Sequence, residues 1–351
     1  MRSLLGATFR GGLPLSNPES LSDGCAPGRP SVQVYVLAAA LLSVLAPASV
    51  SPQTYPARPV RIVVPYSPGA NADLIARLVA QRLSPVWGQQ VFLDNRPGGA
   101  TNIGSALAAK APPDGYTLLL AGPPNAINIS LMSKLPYDLL ADFVPIILGT
   151  RVPNVLSVHP SLPVHSLREL IALAKARPGQ LSFASGGLGS ANQMAGELLK
   201  ISARINIIHV PYKGSAPAIT DTIGGHVELL FAGISSLVPH IKSGRLRPLA
   251  TGSTKRLPMI PDVSTFIELG FPEMTTSVWF GIMAPAATPR DIVAKINADI
   301  HAILSRRDIR EQLISDGQEP GGGSAEEFDT FLRNEIAKYA KVIKAAGIKL
   351  E

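Results

Sequence analysis

The sequence predicts an α/β protein of two lobes, each a mainly parallel sheet flanked by helices. Three observations carry this. Apolar runs of strand length alternate with segments of helical period through most of the 351 residues. The alternation restarts once, near residue 150. Each half contains a strand that passes through a glycine-rich loop into a helix. Strands alternating with helices favour a parallel sheet covered on both faces.

The elements follow in order. "PVRIVVP" (59–65) reads as a buried strand. "NADLIARLVAQRLSPVWG" reads as a helix, because Leu74, Ile75, Leu78, Val79 and Leu83 recur on one face and Arg77, Gln81 and Arg82 fall on the other. "QVFLDN" (90–95) is a second strand, "RPGGATNIGSALAAKA" a loop and helix, and "DGYTLLLAG" (114–122) a turn and third strand. In the second half, "VPNVLSVHP" (152–160), "GQLSFAS" (179–185), "INIIHVPY" (205–212) and "LRPLATGS" (246–253) are strands. "APAITDTIGGHVELLFAG" is a helix followed by a strand. "VWFGIMAP" (278–285) is a late strand, and helical segments follow at 289–304, 308–316 and 325–346. The chain leaves the first unit near Thr150 and returns near Ser277. The lobes are then 49–150 plus 278–351, and 151–277. Two crossings make a hinge with a cleft beside it.

Composition narrows the function. Apolar residues are 46% and charged residues 16%, enough for a packed core. The net charge of +7 comes from basic residues scattered singly, without the run that marks a nucleic-acid arm, so no nucleic-acid partner is expected. Cys25 is the only cysteine, which rules out a disulfide framework and a cysteine metal site. The six histidines show no ligand spacing, and no metal is expected. "VYVLAAALLSVLAPA" (34–48) is an apolar run of 15 residues, short for a span, and it ends in the small-residue stretch Ala46-Pro47-Ala48. Residues 1–48 therefore read as a signal segment, and the mature chain as exported and soluble. A misassigned start codon would explain the long stretch ahead of the apolar run.

The two glycine loops are the candidate site. In "VVPYSPGANADLIARLV" the strand stops at Pro65 and a helix begins near Asn71. Strand ends in such sheets face the crevice where ligands bind. The helix offers unpaired N–H groups and the positive end of its dipole. Gly69 lets backbone approach a ligand closely. This makes an anion site with no Lys or Arg in the loop, which suits a carboxylate. A triphosphate would need the lysine of G-x-x-x-x-G-K-[ST], which is absent. Read blandly, Asn71 caps the helix and Asp73 complements its dipole. The second loop, "SFASGGLGSANQ", sets Ser185, Gly186, Gly187, Gly189 and Ser190 ahead of another helix, with Asn192 adding an amide. Its third fingerprint glycine is missing, so no nucleotide cofactor is expected. G-x-S-x-G and H-E-x-x-H are absent, and no enzyme is expected. His209 reads as a satisfied strand residue, and His226 and Glu228 share one face of a strand. Trp87 and Trp279 read as core or hinge packing, with the cleft wall as the alternative for Trp279.

These residues carry a resemblance. "YPARPVRIVVPYSPGANADLIARLVAQRL", "DNRPGGATNIGSALAAKAPPDGYTLLLAG", "LPYDLLADFVPI", "SFASGGLGSANQMAGELL", "VPYKGSAPAITDTIGGHVELLF" and "VWFGIMAPAATP" resemble, in order, the Bug family. These are the TctC-like periplasmic solute receptors of tripartite tricarboxylate transporters. The resemblance implies a periplasmic-binding-protein-like fold that closes on its ligand like a flytrap. It implies a small carboxylate ligand: a dicarboxylate, tricarboxylate, acidic amino acid or aromatic acid. It also implies delivery to membrane transporter subunits. The family pattern P-[YF]-x-P-G-G-x-x-D reads here from Pro65 to Asp73, with Ala70 replacing the second glycine. The pattern G-x-G-S-x-x-H-L matches Gly187, Gly189 and Ser190, with Gln193 where His is frequent. Asn125 matches a polar position after the third strand that can point into the cleft.

On this reading, Gly69, Ala70 and Asn71 offer backbone donors, and Asp73 orients water or a ligand group. Ser185, Gly187, Gly189, Ser190 and Asn192 grip from the other lobe, and Tyr66 and Asn125 line the wall. Replacing Asp73 and Ser190 with alanine should then weaken binding with little loss of fold. The alternatives are a sensory receptor for a signalling partner, or a hydrolase or transferase acting on a small acid or ester.

Overall fold

The computed structural model describes residues 55–69 and 71–349. The expected signal segment and Ala70 lie outside them. β1 (Val60–Val64) pairs in parallel with β2 (Val91–Asn95) on one side and β3 (Thr117–Ala121) on the other. β1 sends Val60, Ile62 and Val64 into one core cluster and Val63 into another. Both faces are covered, which is why the strand reads as an unbroken apolar run. α1 (Asn71–Trp87) crosses from β1 to β2 and buries Ile75, Val79 and Leu83. α2 (Asn102–Ala109) crosses from β2 to β3.

The centre of the molecule differs from the expected pair of mainly parallel sheets. β4 (Phe143–Val158) is one strand of 16 residues, where the sequence suggests a new strand starting at 152. Up to Pro153 it pairs antiparallel with β9 (Ser277–Pro285), and from Asn154 with β7 (Leu229–Gly233). β7 continues in parallel to β5 (Ser182–Ser185) and β6 (Ile208–Pro211). The path runs β2-β1-β3-β9-β4-β7-β5-β6. β8 (Arg247–Thr251) and β10 (Glu319–Gly322) also pair with β4. The antiparallel centre has a simple cause: β4 leaves the first half, β9 returns to it, and the two run side by side. The parallel pairs that the sequence predicts flank this centre.

Three elements escape sequence reading. α3 (Pro123–Leu131) opens on two prolines, which a first helical turn tolerates and a composition scan reads as loop. α7 (Ile234–Lys242) carries an internal Pro239. β10 has the sequence EPGG, with no strand former, and exists because β4 offers it an edge. His226 and Glu228 precede β7 rather than belonging to it, and Glu228 accepts the N–H and hydroxyl of Ser182 at 2.8 and 2.7 Å.

The remaining helices are α4 (Leu167–Ala176), α5 (Ala191–Ala203), α6 (Ser215–Ile223), α8 (Arg290–Ser305), α9 (Arg307–Ser315) and α10 (Ala325–Ala346). Ser324 and Glu327 close a capping box at the start of α10. One side of α10, through Phe328, Leu332, Tyr339 and Val342, packs on α3, β4 and α5. Trp279 is fully buried, edge-on to Phe328 and Phe331 at 6.0 and 5.6 Å. It is packing, not cleft wall. Gly281 has no room for a methyl beside the Phe328 ring. Gly281→Ala should cost about 2 kcal/mol of stability by overpacking. An unchanged denaturation midpoint would show that α10 shifts freely.

Candidate functional site

Loop one leaves β1 at Pro65. Gly69 has φ +81, a conformation only glycine takes without strain. Its N–H donates to the Asp73 carboxylate at 3.1 Å. The same carboxylate accepts Asn95 Nδ2 at 2.9 Å and Arg77 at 3.1 Å. Asn95 Nδ2 also reaches the Tyr66 carbonyl at 3.1 Å. Asp73 is 2% exposed. Burial alone would raise its pKa; the bonds from Gly69, Asn95 and Arg77 outweigh that and hold it below the usual carboxylate range. This corrects one expectation: the Gly69 N–H is not a free donor. The Asp73 carboxylate is bonded to the loop and to β2, and Arg77, one turn further along the helix, neutralises it. Asn71 opens α1 and lines a cavity of about 590 Å³ with Leu74, Arg77, Ser235, Met259 and Gln318.

Tyr66 packs edge-on to Phe280 at 5.8 Å. Its hydroxyl sits where a side chain on Gly122 would collide, and it is buried without a hydrogen-bond partner. Burial, then the neighbouring Tyr137, pushes its pKa up, so it stays protonated and able to donate. Asn125 is fully buried and does not reach the cleft. Its Oδ1 accepts the Gly122 N–H at 3.0 Å, and its Nδ2 donates to Ser105 and Tyr137 at 2.7 and 3.2 Å. Its expected place on the wall is corrected to a cap at the start of α3.

Loop two is tied internally. Ser190 caps α5: its Oγ accepts the Gln193 N–H at 3.2 Å and donates to the Gly187 carbonyl at 2.7 Å. Gln193 Oε1 takes the Gly189 N–H at 2.7 Å. Ser185 is fully buried, and its Oγ accepts the Gly187 N–H at 3.1 Å. Asn192 Nδ2 donates to Asn154 Oδ1 at 2.9 Å, while Asn154 Nδ2 is buried without a partner. Gly187 and Gly189 have φ of +123 and +72. The side chains of Ser185, Ser190 and Asn192 thus each hold the loop through hydrogen bonds within the protein. The first amides of α5, at Ala191 and Asn192, have no intrahelical acceptor, as at any helix start.

α3 links the two loops. Gly122, at its start, lies against Tyr66; Leu131, at its end, lies 3.0 Å from where a Cβ on Gly189 would stand. Nine residues of helix separate these points by roughly 13 Å. Sequence reasoning missed Asn95, Asn154, Arg77 and Tyr137. The signal for Asn154 is an amide side chain inside a strand run that is mainly apolar.

Ser185 Oγ lies 2.7 Å from His209 Nε2. Such a pair resembles two-thirds of a hydrolase triad, but a triad serine is reachable and its histidine is oriented by a carboxylate. Here the serine is buried, and burial together with Lys200 pushes His209 down to about 4. Among the described residues, no group of three or more His, Cys, Asp or Glu is placed to hold a metal, and no helix is long and apolar enough to cross a membrane.

Two sheets sharing a crossing strand, with glycine loops and helix starts at their strand ends, define the two-lobed fold of periplasmic solute receptors. Residues 75–348 match the family model "Tripartite tricarboxylate transporter family receptor", TctC. The chain belongs to this family. It is 40% identical to Protein BugT of Bordetella pertussis over 306 residues, covering 87% of this chain and 94% of that protein. Among solved structures, R. palustris Rpa4515 with adipate aligns at a TM-score of 0.75 and 40% identity, over 84% of this chain and all of that one (100%). MatC (Rpa3494) from Rhodopseudomonas palustris with bound malate aligns at 0.71 and 28% identity, over 82% and 100%. Family members are solute-binding receptors.

Proposed function

We propose that this protein is an exported receptor that captures a small dicarboxylate between its two glycine loops and delivers it to a tripartite tricarboxylate-type transporter. One observation carries the reading. Asp73, Ser185, Ser190 and Asn192 are hydrogen-bonded within the protein, which supports reading the backbone amides at the two helix starts as the ligand-facing groups. Such amides favour a carboxylate over a neutral group. Arg77 is already neutralised by Asp73, so neither loop offers the spare cation that a phosphate cluster would need. The adipate and malate bound by two structural neighbours support the same class. The lobe boundaries are proposed at the changes of strand partner, between Pro153 and Asn154 and ahead of Ser277. Ligand bridging the loops would favour the closed form by its differential affinity.

A melting screen against dicarboxylates, with matched diamides as controls, tests the reading. An acid at 100 times its Kd should add roughly 2.7 kcal/mol of stability, and its diamide should add none. Equal shifts for acid and amide would remove the anion site from the reading.

A further inference from the structure

His209 lies outside every role assigned so far, yet it begins an unbroken chain of hydrogen bonds into the second loop. Its Nε2 is 2.7 Å from the Ser185 hydroxyl. Ser185 Oγ accepts the Gly187 N–H at 3.1 Å and is 3.3 Å from the Gly187 carbonyl oxygen. That carbonyl accepts the Ser190 hydroxyl at 2.7 Å, and Ser190 Oγ accepts the Gln193 N–H at the start of α5.

The chain has a proton count. Ser185 has one hydroxyl proton to give. If His209 Nε2 is bare, the hydroxyl donates its hydrogen bond to the imidazole, which is the shorter contact. The Gly187 carbonyl then keeps the Ser190 hydroxyl as its one hydroxyl donor. If Nε2 carries a proton, Ser185 must accept from His209, and its own proton turns toward the Gly187 carbonyl. The state of one ring nitrogen thus decides how the Gly187 peptide is held. That peptide has little slack: Gly187 has φ +123, and a Cβ there would stand 2.8 Å from the Tyr212 carbonyl oxygen.

We propose that His209 is a positioning residue of the ligand site: its unprotonated Nε2 accepts a hydrogen bond from the Ser185 hydroxyl and so holds the Gly187 peptide in the ligand-binding orientation. This rests on the second loop being part of a carboxylate site. The ring is fixed for the task by stacking on Phe183 at 4.8 Å. Burial, and then the charge of Lys200 on α5, disfavour its protonation, with the pKa down to about 4. Lys200 is itself paired with Glu197 at 2.8 Å. On the other side, β5 presents Phe183 and Ser185, and the chain beyond β6 leads to Tyr212, whose hydroxyl is bonded to Asp221.

Nuclear magnetic resonance on the ligand-free protein, with labelled histidine and glycine, reads the chain directly. His209→Phe assigns the ring signals. At pH 7, Nε2 should give the shift of a bare acceptor nitrogen. On acidification, the Gly187 amide should follow the His209 titration with one midpoint, and Ser185→Ala should uncouple them. A protonated Nε2 at pH 7, or a Gly187 amide indifferent to His209, overturns the proposal.

Calorimetry with adipate supplies the binding arm. His209→Phe keeps the ring stack and loses the nitrogen, and it should bind about tenfold more weakly. His209→Gln restores an acceptor and should recover most of that loss. Equal affinity for the Phe variant and the parent also overturns the proposal. If the parent binds neither adipate nor malate, the dicarboxylate reading fails instead, and the ligand-free titration alone decides the role of His209.

Discussion

Replacing Asp73 with alanine should cost about 3 kcal/mol of folding stability, and ligand binding should go with it. The carboxylate is 2% exposed and joins three parts of the chain: Gly69 of the first loop, Asn95 of β2 and, through Arg77, its own helix α1. Its removal leaves the Gly69 N–H without its acceptor and the Asn95 amide with the Tyr66 carbonyl alone, and it frees Arg77. From the sequence alone, replacing Asp73 together with Ser190 is expected to weaken binding with little loss of fold, so the structure changes the expectation for stability and not for binding. The pH dependence follows from the direction of the shift. The folded pKa lies below the ordinary value, so the carboxylate's stabilisation is fully present above the unfolded-state pKa and is lost as pH falls through the lowered folded one. Denaturant titrations of the parent and Asp73→Ala should differ most near neutral pH and converge in strong acid. A difference under about 0.5 kcal/mol at pH 7 would place Asp73 on an idle surface.

Replacing Gly187 with alanine should weaken dicarboxylate binding by about a hundredfold, with a smaller effect on melting. An L-residue at φ +123 is strained by about 1–3 kcal/mol, and the added methyl would press on the Tyr212 carbonyl at 2.8 Å. The loop can relieve both only by turning the peptide that Ser185 and Ser190 hold. Gly244→Ala is the control: it has φ +71, nothing lies within 4 Å of its Cβ position, and it sits beyond α7. Similar strain there should lower stability slightly and leave affinity unchanged. If both variants bind as the parent does, the second loop is not the ligand loop. If both lose binding equally, general strain rather than loop geometry is responsible.

Much of the fold was legible because burial leaves a periodic trace. β1 reads as a strand because both of its faces are covered, and α10 reads as a helix because one face packs on three elements. Elements stabilised by a neighbour instead of by their own composition left no trace. β10 is a strand only because β4 offers it an edge, and α7 is helical across Pro239.

The candidate site divides in the same way. Sequence alone located both loops, since a strand, glycines at positive φ and a helix start are local features of the chain. It also determined the family and the anion-favouring chemistry of the helix ends. It could not assign the side chains within those loops. A polar residue type states what a group can donate or accept, not which partner will take it. Asn95 reaches Asp73 across 22 positions, Asn154 reaches Asn192 across 38, and His209 reaches Ser185 across 24. Only tertiary packing sets those pairings, and they give Asp73, Ser185 and Asn192 partners within the protein that their sequence neighbourhood does not show.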